Sequence, residues 1–521
     1  MREFSFRLEK ELELGLRRDE RAKKNHIGLL ECMGLKPISG IGLVPYEPIT
    51  CPFSSATLAA AGITIAFPFP QLFRGTVITL LCTSNKVFEV DETDWTLTQL
   101  TTYDAYDEAT VKSITAGGVW HFMDFGTTWF LFNGKCSVFK TNRRGLFKVV
   151  DKVFVQSTMT VQTGCAHRGR AITAGFSDNF WSDDWRGYWD NKMLDLPIRF
   201  ADSIDMNSNV VMWSTIGGGD LLFWLFFDYA MAGVLDLDDA HSITVKQFLM
   251  DTLKRNEWGF MPMPWQGTVY CVKSLGNNVA VYGTGGIDVL IQVPEPFPTF
   301  GLRHISSVQV ADRGAVGGDE NVHIFLDNSG MLWSLDASLK LTQLGYQEFL
   351  SPMVGDDILI THNPQDNEFS ISNDSNCYIL TSAGLSECNQ LIISQCYNNG
   401  NLVGIYDDSI ADIEGRIVTD EFDMGLRAIK QIMAIELGFS GDTPLSVGVY
   451  SKFNKAGSYM LSGYKVANME GVVYPIASGV DFKLAIKGED YTKSNLSYIV
   501  VRYKLGDKRS IRGYYASQNA S

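Results

Sequence analysis

The chain has 521 residues, of which 45% are hydrophobic and 20% charged, and these values are ordinary for a folded globular protein. Its formal net charge of −15 argues against a nucleic-acid binder that works through a basic patch. The nine cysteines are scattered, without a Cys-x-x-Cys pair, so the sequence predicts no metal site, no disulfide framework and no cofactor. The longest apolar run, residues 221–227, is far shorter than the ~20 residues of a membrane-spanning helix.

Residues 1–59 are predicted to form an extended N-terminal arm and a linker. The first 25 residues carry eight Lys/Arg and six Asp/Glu, and their apolar periodicity is poor. This favours a solvated arm or a fraying helix, with an arm that orders on a partner subunit as the alternative. Residues 34–52 are rich in Gly and Pro, which favours an extended linker.

From about residue 63, short β-rich runs recur with turn residues between them. Asn133-Gly134, between the apolar runs 129–132 and 137–140, is a strong signal for a tight β-hairpin. The runs group into units of roughly 35–50 residues, the period expected of propeller blades. The sequence therefore predicts an all-β protein in which residues 60–420 form an irregular β-propeller of about six or seven blades.

The composition changes near residue 420. All 11 tryptophans lie at or before Trp333, and the β-rich runs that follow residue 420 are longer and more regular. Residues 421–521 are therefore predicted to form a C-terminal antiparallel β-sandwich.

An acidic, Trp-rich insert interrupts the propeller pattern around residues 176–262. Residues 171–262 hold 14 Asp/Glu and 6 Lys/Arg, a balance of 6 − 14 = −8, which is more than half of the total net charge of −15. Exposure of the tryptophan rings of this insert to water would be unfavourable, which favours burial of the insert against a neighbour.

No catalytic constellation is visible, and the sequence predicts a protein that is not an enzyme. The seven histidines are isolated, and His167, beside Arg168 and Arg170, is expected to be a turn residue. Asp183-Asp184 could suggest a glycosidase, but neighbouring acids in sequence do not give the ~5 Å carboxylate separation of a retaining enzyme.

One turn half-resembles the Asp-box of sialidase propellers, at residues 328–333. Leu326 stands where that motif has Ser or Thr, and Asn328 stands where it has Asp. Because the motif is a turn device, it predicts a blade hairpin and no catalytic role.

Several segments resemble tail proteins of short-tailed bacteriophages, in an order of elements that covers residues 70 to 515. The first is Trp213-Ser214-x-Ile216-Gly217, followed by the 267–293 meander with its Pro-rich turn. The others are the Gly-x-Leu-Trp hairpin at 330–333, Thr381-x-x-Gly384-Leu385-Ser386, Phe422-Asp423-x-Gly425 with Lys430, Gly479-x-Asp481-Phe482, Val501-Arg502-Tyr503-Lys504 and Asp507-Lys508-Arg509-x-Ile511-Arg512-Gly513.

The resemblance implies a tail hub or nozzle, a structural virion protein assembled in the host cytoplasm. In that family, β-propeller subunits form a hexameric ring below the portal and adaptor, and double-stranded DNA passes non-specifically down its centre. The implied partners are identical subunits, the portal or adaptor and other tail proteins. One alternative is a receptor-binding propeller adhesin that holds host glycan on the insert's aromatics. A weaker alternative is a carbohydrate hydrolase.

Within such a ring, three groups of residues are candidates for function. Acids of the insert are expected at the lumen or a subunit interface, where they would repel DNA phosphate: Asp183, Asp184, Asp236, Asp238 and Asp239. The aromatics expected at a subunit interface are Trp181, Trp185 and Trp189. The basic residues expected either to dock on an acidic partner or to remain a solvated strand end are Lys504, Lys508, Arg509 and Arg512.

Overall fold

The structure is a computed structural model with a nearly all-β chain. Among the residues that the structure describes, no helix is long and apolar enough to cross a membrane. The described residues are 3–18, 28–46, 63–71, 76–91, 96–104, 109–125, 128–140, 146–150, 160–177, 208–214, 216, 259–293, 300–364, 366–373, 375–388, 392–398, 401–406, 415–441, 445–454, 456–488 and 495–506.

The N-terminal segment contains four strands and one short helix. They are β1 (Glu3–Leu8), α1 (Lys10–Leu14), β2 (Leu29–Met33), β3 (Leu35–Ile38) and β4 (Gly42–Pro45).

Six small sheets follow within the described residues up to residue 388. The first contains β5 (Ile63–Gln71), β6 (Thr76–Thr83), β7 (Val87–Asp91) and β8 (Thr96–Gln99). The second contains β9 (Thr102–Asp104), β10 (His121–Phe125), β11 (Thr128–Phe132), β12 (Ser137–Lys140) and β13 (Phe147–Val150). The third contains β14 (Thr163–His167), β15 (Arg170–Ala174), β16 (Val210–Trp213) and β17 (Gly259–Pro262).

The next three sheets continue the pattern, and one hairpin follows them. The fourth contains β18 (Val269–Leu275), β19 (Asn278–Gly283), β20 (Ile287–Gln292) and β21 (Phe300–Ser306). The fifth contains β22 (Val316–Gly318), β23 (Val322–Leu326), β24 (Leu332–Asp336) and β25 (Leu341–Gly345), followed by α2 (Gln347–Leu350) and a 3-10 turn (Ser351–Met353). The sixth contains β26 (Leu359–Asn363), β27 (Glu368–Ser372), β28 (Cys377–Leu380) and β29 (Leu385–Cys388), and the hairpin contains β30 (Ile392–Asn398) and β31 (Asn401–Tyr406).

The inner strands of these sheets lie side by side around a common centre. β10 lies against β14, β14 against β18, β22 against β26, and β26 against β30. β30 in turn lies against β5, which brings the last hairpin to the first sheet. Small antiparallel sheets arranged in this way make a propeller-like fold. The predicted all-β fold of repeated short sheets is therefore confirmed.

The hairpin at the partial Asp-box is organised by Asp327, one position before Asn328, which the motif alignment put at the Asp position. Asp327 Oδ1 accepts hydrogen bonds from the backbone N–H of Ser329 at 2.8 Å and of Met331 at 2.9 Å. Its Oδ2 accepts one from Trp333 Nε1 at 2.8 Å. Asn328, which had been aligned with the acid, bonds instead to Gln309. The same use of an Asp or Asn side chain to fix a turn recurs at Asn133, Asp319, Asp336 and Asn373.

The C-terminal strands form two antiparallel layers that share one core, with Ile435, Val449, Leu484 and Ile499 fully buried. One layer contains β33 (Lys430–Ser440), β37 (Val472–Val473), β38 (Ala477–Gly479) and β40 (Asn495–Leu505). The other contains β32 (Gly415–Thr419), β34 (Ser446–Lys452), β35 (Met460–Leu461), β36 (Lys465–Val466) and β39 (Asp481–Gly488).

The N-terminal segment is part of this sandwich, which differs from the extended arm expected for residues 1–59. β1 pairs along β40, with Phe6 opposite Val501, and β4 pairs with β40 near Leu496. β2 lies between β29 and β32. Through β2, the sixth propeller-like sheet and one sandwich layer form a single ten-stranded sheet.

Burial of leucines explains why this charged segment is ordered. Leu8, Leu12 and Leu16 recur every four residues, and all three are buried in the main core. The charge of Arg17, which directly follows Leu16, is neutralised by pairing with Glu348 at 2.7 Å and with Asp420 at 3.1 Å. Apolar burial and local ion pairing together anchor residues that composition alone assigns to solvent.

Candidate functional site

A cavity of about 560 Å³ lies among the inner strands of the propeller-like part. Its wall includes one residue or more from each of β10, β14, β18, β22 and β26. His121, Cys165, Lys273, Gly317 and Thr361 are one representative from each strand, in that order. Because five sheets contribute to one space of small-molecule size, this axial cavity is the candidate site.

Close packing of two strands shapes one side of the axial cavity. A Cβ atom added to Gly317 would lie 2.5 Å from Cγ2 and 2.8 Å from the carbonyl oxygen of Ile360. Any side chain at this position would therefore push β22 away from β26. The glycine keeps the two inner strands together and leaves room on the other side for the cavity.

Three histidines belong to the cavity wall, and burial keeps each of them neutral at physiological pH. His323 Nε2 donates to the carbonyl of Ser274 at 3.1 Å, so Nδ1 of the neutral ring accepts a hydrogen bond from Tyr282 Oη at 2.9 Å. Burial, reinforced by the charge of Lys273, lowers the pKa of His323 to about 3. Burial also lowers the pKa of His362.

His121 has an imidazole nitrogen without a partner. Burial, with further contributions from the charges of Lys273 and Arg313, lowers its pKa to about 3. Thr163 Oγ1 lies 3.3 Å from His121 Nδ1 and already accepts the backbone N–H of Val272 at 3.2 Å. In the tautomer in which the threonine hydroxyl donates to Nδ1, the imidazole hydrogen is on Nε2. That Nε2 is buried and has no hydrogen-bond partner.

Two cations face the axial cavity without a carboxylate partner. Within the described residues, no acid lies within 4.0 Å of Lys273 Nζ or of the Arg313 guanidinium, and Lys273 reaches only the carbonyl of Gly318 at 3.5 Å. Arg313 lies over the ring of Tyr270, 5.9 Å from its centroid. The nearby Asp319 is held by its own turn, where it accepts the N–H of Asn321 at 2.8 Å.

The protonation state of Asp319 follows from that turn. Burial alone would raise its pKa, but the backbone N–H groups of Asn321 and Val322 outweigh burial, and the pKa of Asp319 is lowered. The carboxylate is thus charged and its acceptor capacity is used locally. Glu320, also in the wall, is exposed at the rim.

The site offers neither a metal cluster nor a reactive thiol within the described residues. No group of three or more His, Cys, Asp or Glu side chains is arranged to hold a metal ion there. Cys165, in the cavity wall, has its pKa raised by burial, so its thiol stays protonated. The seven cysteines whose side chains the structure describes are all free.

A second polar chain lies at the outer strand of the fourth sheet. His304 Nδ1 bonds to Asp288 Oδ1 at 2.9 Å, and His304 Nε2 lies 3.4 Å from Ser307 Oγ. Trp265 Nε1 donates to the other oxygen of Asp288. Burial raises the pKa of Asp288, against the opposing effect of these donors. No sequence pattern indicated these polar contacts, because Asp288 and His304 meet only through strand pairing.

The predicted insert residues lie outside the described part of the chain, as do Lys508, Arg509 and Arg512. The topology around them is nevertheless informative. Residues 178–207 follow β15 and precede β16, whereas residues 217–258 follow β16 and precede β17. Because β16 is antiparallel to both neighbours, the two segments leave the third sheet at opposite ends. The expected single insert is therefore two insertions separated by a blade strand.

Lys504 is the one predicted docking residue that the structure describes. It lies on β40, opposite Glu3 of β1 on one side and Gln431 of β33 on the other. The backbone of β40 is thus paired on both sides at this position, and the Lys504 side chain is half-buried.

The C-terminal residues that carry the phage-tail resemblance lie close together. Phe422 and Phe482 exchange backbone hydrogen bonds of 3.0 Å. Lys430 is fully buried, and its Nζ donates to the carbonyls of Ala428 at 3.1 Å and Val480 at 3.0 Å. Burial lowers the pKa of Lys430, opposed by the charges of Asp423 and Asp481. These residues act as a structural anchor of the sandwich.

A group of exposed apolar side chains, called the apolar strip below, lies within residues 460–476 of the sandwich. Its segment begins on β35 and β36, which border one layer, and ends at β37 and β38, which belong to the other. Ile476 is 81% exposed and Met469 is fully exposed. The apolar strip consists of Met460, Leu461, Val466, Met469, Tyr474 and Ile476.

Comparison with known proteins gives no functional assignment. No protein-family model and no curated protein matches the sequence. Among solved structures, the chain is similar to "YCF48 bound to D1 peptide", with 8% sequence identity and a TM-score of 0.31, over 58% of this chain and 76% of that one. A similarity this low carries no argument about function.

Proposed function

We propose that this protein is a structural subunit of a bacteriophage tail, a hub or nozzle that assembles into a hexameric ring through which DNA is ejected. The motifs that resemble tail proteins of short-tailed phages support this proposal, as does the propeller-like fold. In the proposed architecture, the six small sheets and the β30–β31 hairpin are seven blades, the last of them incomplete. The subunit has no catalytic role and resides in the virion tail.

The apolar strip is the observation that supports assembly into a ring. Six large apolar side chains within residues 460–476 are exposed together at an edge shared by two layers. Contiguous exposed apolar surface is unfavourable in a monomer and is typical of protein–protein interfaces. A strip on one side of the subunit suits a head-to-tail contact, and such contacts close into rings when the rotation between subunits allows it.

The size of the axial cavity bears on where DNA would pass. A space of about 560 Å³ suits a small molecule, whereas the major groove of a duplex is itself ~12 Å wide. The DNA path of this proposal therefore runs between subunits and not along the axis of one propeller. A channel between subunits requires the ring, so the function depends on the interface.

The test is the assembly state of variants in the apolar strip. The double variant Met469→Glu with Ile476→Glu is expected to remain a folded monomer of 58.0 kDa, because two carboxylates cannot be buried unpaired in the contact. The wild-type chain is expected to form sixfold rings with an open centre. The matched control is Val111→Glu, which changes a 65% exposed apolar residue in the propeller-like part and is expected to leave the rings intact.

Mass photometry and negative-stain microscopy give the decisive readout. A wild-type chain that stays monomeric at micromolar concentration, or rings that survive the double substitution, would contradict the proposal. A trimer that binds host glycan would favour the receptor-binding adhesin instead.

A further inference from the structure

We propose that the axial cavity is a binding site for a small organic anion, whose carboxylate or phosphate group lies between Lys273 and Arg313. This site is contained within one chain and does not depend on the ring. Its ligand is defined by the chemistry of the wall: one oxyanion group and an apolar body.

The wall holds two cations, Lys273 and Arg313, and two acids, Asp319 and Glu320, and the acids differ from the cations in having local partners or a place at the rim. Lys273 and Arg313 come from different elements, and both charges act on His121, so both lie near the same part of the cavity. No acid among the described residues pairs with either cation, while Asp319 is occupied by the N–H groups of its own turn. Glu320 is exposed at the rim and lies at the entrance. Two cations without a carboxylate partner among the described residues favour an oxyanion as their partner.

The remaining wall suits the uncharged part of such a ligand. Val119, Phe122, Val272 and Ile360 supply apolar surface, and the volume lies within the ~300–1,000 Å³ of small-molecule sites. Inorganic phosphate alone would leave most of this space unfilled. An anion with an aromatic or aliphatic body fills it better.

The polar atoms without partners give an independent reason for a ligand. His121 Nε2 and His362 Nε2 are both buried at the wall, and neither has a hydrogen-bond partner. Leaving a buried polar atom without a hydrogen bond is unfavourable. In the tautomer with its hydrogen on Nε2, His121 would donate to a bound oxyanion alongside Lys273 and Arg313.

The experiment titrates two probes, benzoate and inorganic phosphate, into the full-length protein at low ionic strength, with isothermal calorimetry as the readout. One site per chain is expected, with binding at least tenfold weaker in Lys273→Met and in Arg313→Met. Arg303→Met is the matched control, because Arg303 is exposed on the outer strand β21, and it is expected to bind like the wild type. The Met469→Glu/Ile476→Glu variant is also expected to bind normally, which separates this proposal from that of the ring.

The two probes distinguish the sources of the oxyanion. Binding of benzoate alone indicates an organic carboxylate, and binding of phosphate alone indicates a phosphate-bearing ligand. The proposal is overturned if neither probe binds at concentrations up to about 10 mM, which is on the order of the weakest specific affinities. It is also overturned if Arg303→Met weakens binding as much as Lys273→Met and Arg313→Met do.

A structure determined with 4-bromobenzoate provides a second readout that does not depend on variant folding. Bromine density inside the axial cavity, with the carboxylate between Lys273 and Arg313, supports the site. Density found only elsewhere on the chain overturns it.

Discussion

Truncation of Leu12 tests whether the N-terminal segment is part of the folded core. Leu12 lies in α1, is 0% exposed and packs in the cluster that contains residues of both the propeller-like part and the sandwich. Leu12→Ala removes three buried carbon atoms, which at ~0.8 kcal/mol each amounts to about 2.4 kcal/mol. The cavity left behind adds to this, so the expected loss is ~2.7–5 kcal/mol of unfolding free energy.

The assay is urea unfolding followed by tryptophan fluorescence and by circular dichroism. Two probes are needed because a chain of this size need not unfold in one step, and the first transition is the one compared. Leu426→Ala is the matched control, since Leu426 is 45% exposed, and its expected effect is within ~0.5 kcal/mol.

The result that refutes this reasoning is a Leu12→Ala midpoint equal to that of Leu426→Ala. That outcome would mean that residues 3–18 leave the core at no cost in stability, as the solvated arm expected from composition would. A Leu12→Ala loss of several kcal/mol would instead establish the segment as an internal support.

Three further predictions follow from the described contacts. The free energy of unfolding should fall by about 2 kcal/mol for each of His121 and His323 when the pH is lowered from 7 to 5. The reason is that these histidines take up protons near pH 6.5 in the unfolded chain, whereas the pKa of each in the folded protein is about 3. In urea titrations at the two pH values, His323→Gln should remove the contribution of one histidine. Asp327→Ala should lower the free energy of unfolding by at least ~2 kcal/mol, because it leaves the N–H donors of Ser329, Met331 and Trp333 without their acceptor. The control Asn328→Ala should be nearly neutral. Equal effects of the two substitutions would contradict the assignment of Asp327 as the residue that organises the turn. Deletion of residues 1–46 should reduce the soluble yield sharply, because it leaves edges of β29, β32 and β40 unpaired. A soluble, monodisperse product would show that these unpaired edges do not cause aggregation.

The local part of the fold could be predicted from sequence because its signals are local. Asn133-Gly134 does join β11 to β12, and the runs around residues 278–292 do form consecutive strands. The N-terminal strands could not be predicted in the same way, because β1 finds its partner at the other end of the chain, opposite Val501. The only sequence signal was the four-residue spacing of Leu8, Leu12 and Leu16, which the surrounding charges obscured.

The axial cavity was not predicted for a similar reason. His121, Lys273 and Arg313 lie in different parts of the chain, and each has an ordinary local context in sequence. Their shared wall exists only because the inner strands of successive sheets meet around one centre. A periodic pattern predicts that sheets exist, but it does not specify which inward side chains face one another.

The division of the acidic insert changes how the proposed conduit has to be argued. Asp183 and Asp184 belong to the segment that leaves the third sheet after β15, and the acids at 236–239 belong to the segment that leaves after β16. These departures are at opposite ends of the same sheet, because β16 is antiparallel to both of its neighbours. A single wall of negative charge facing DNA would require both segments to turn towards the same lumen. If each segment instead serves its own end, one acidic group can face the DNA at the entrance of the ring and the other at its exit. Separate lysine substitutions in the two segments therefore test different steps of DNA passage, and treating them as one site would confuse the two.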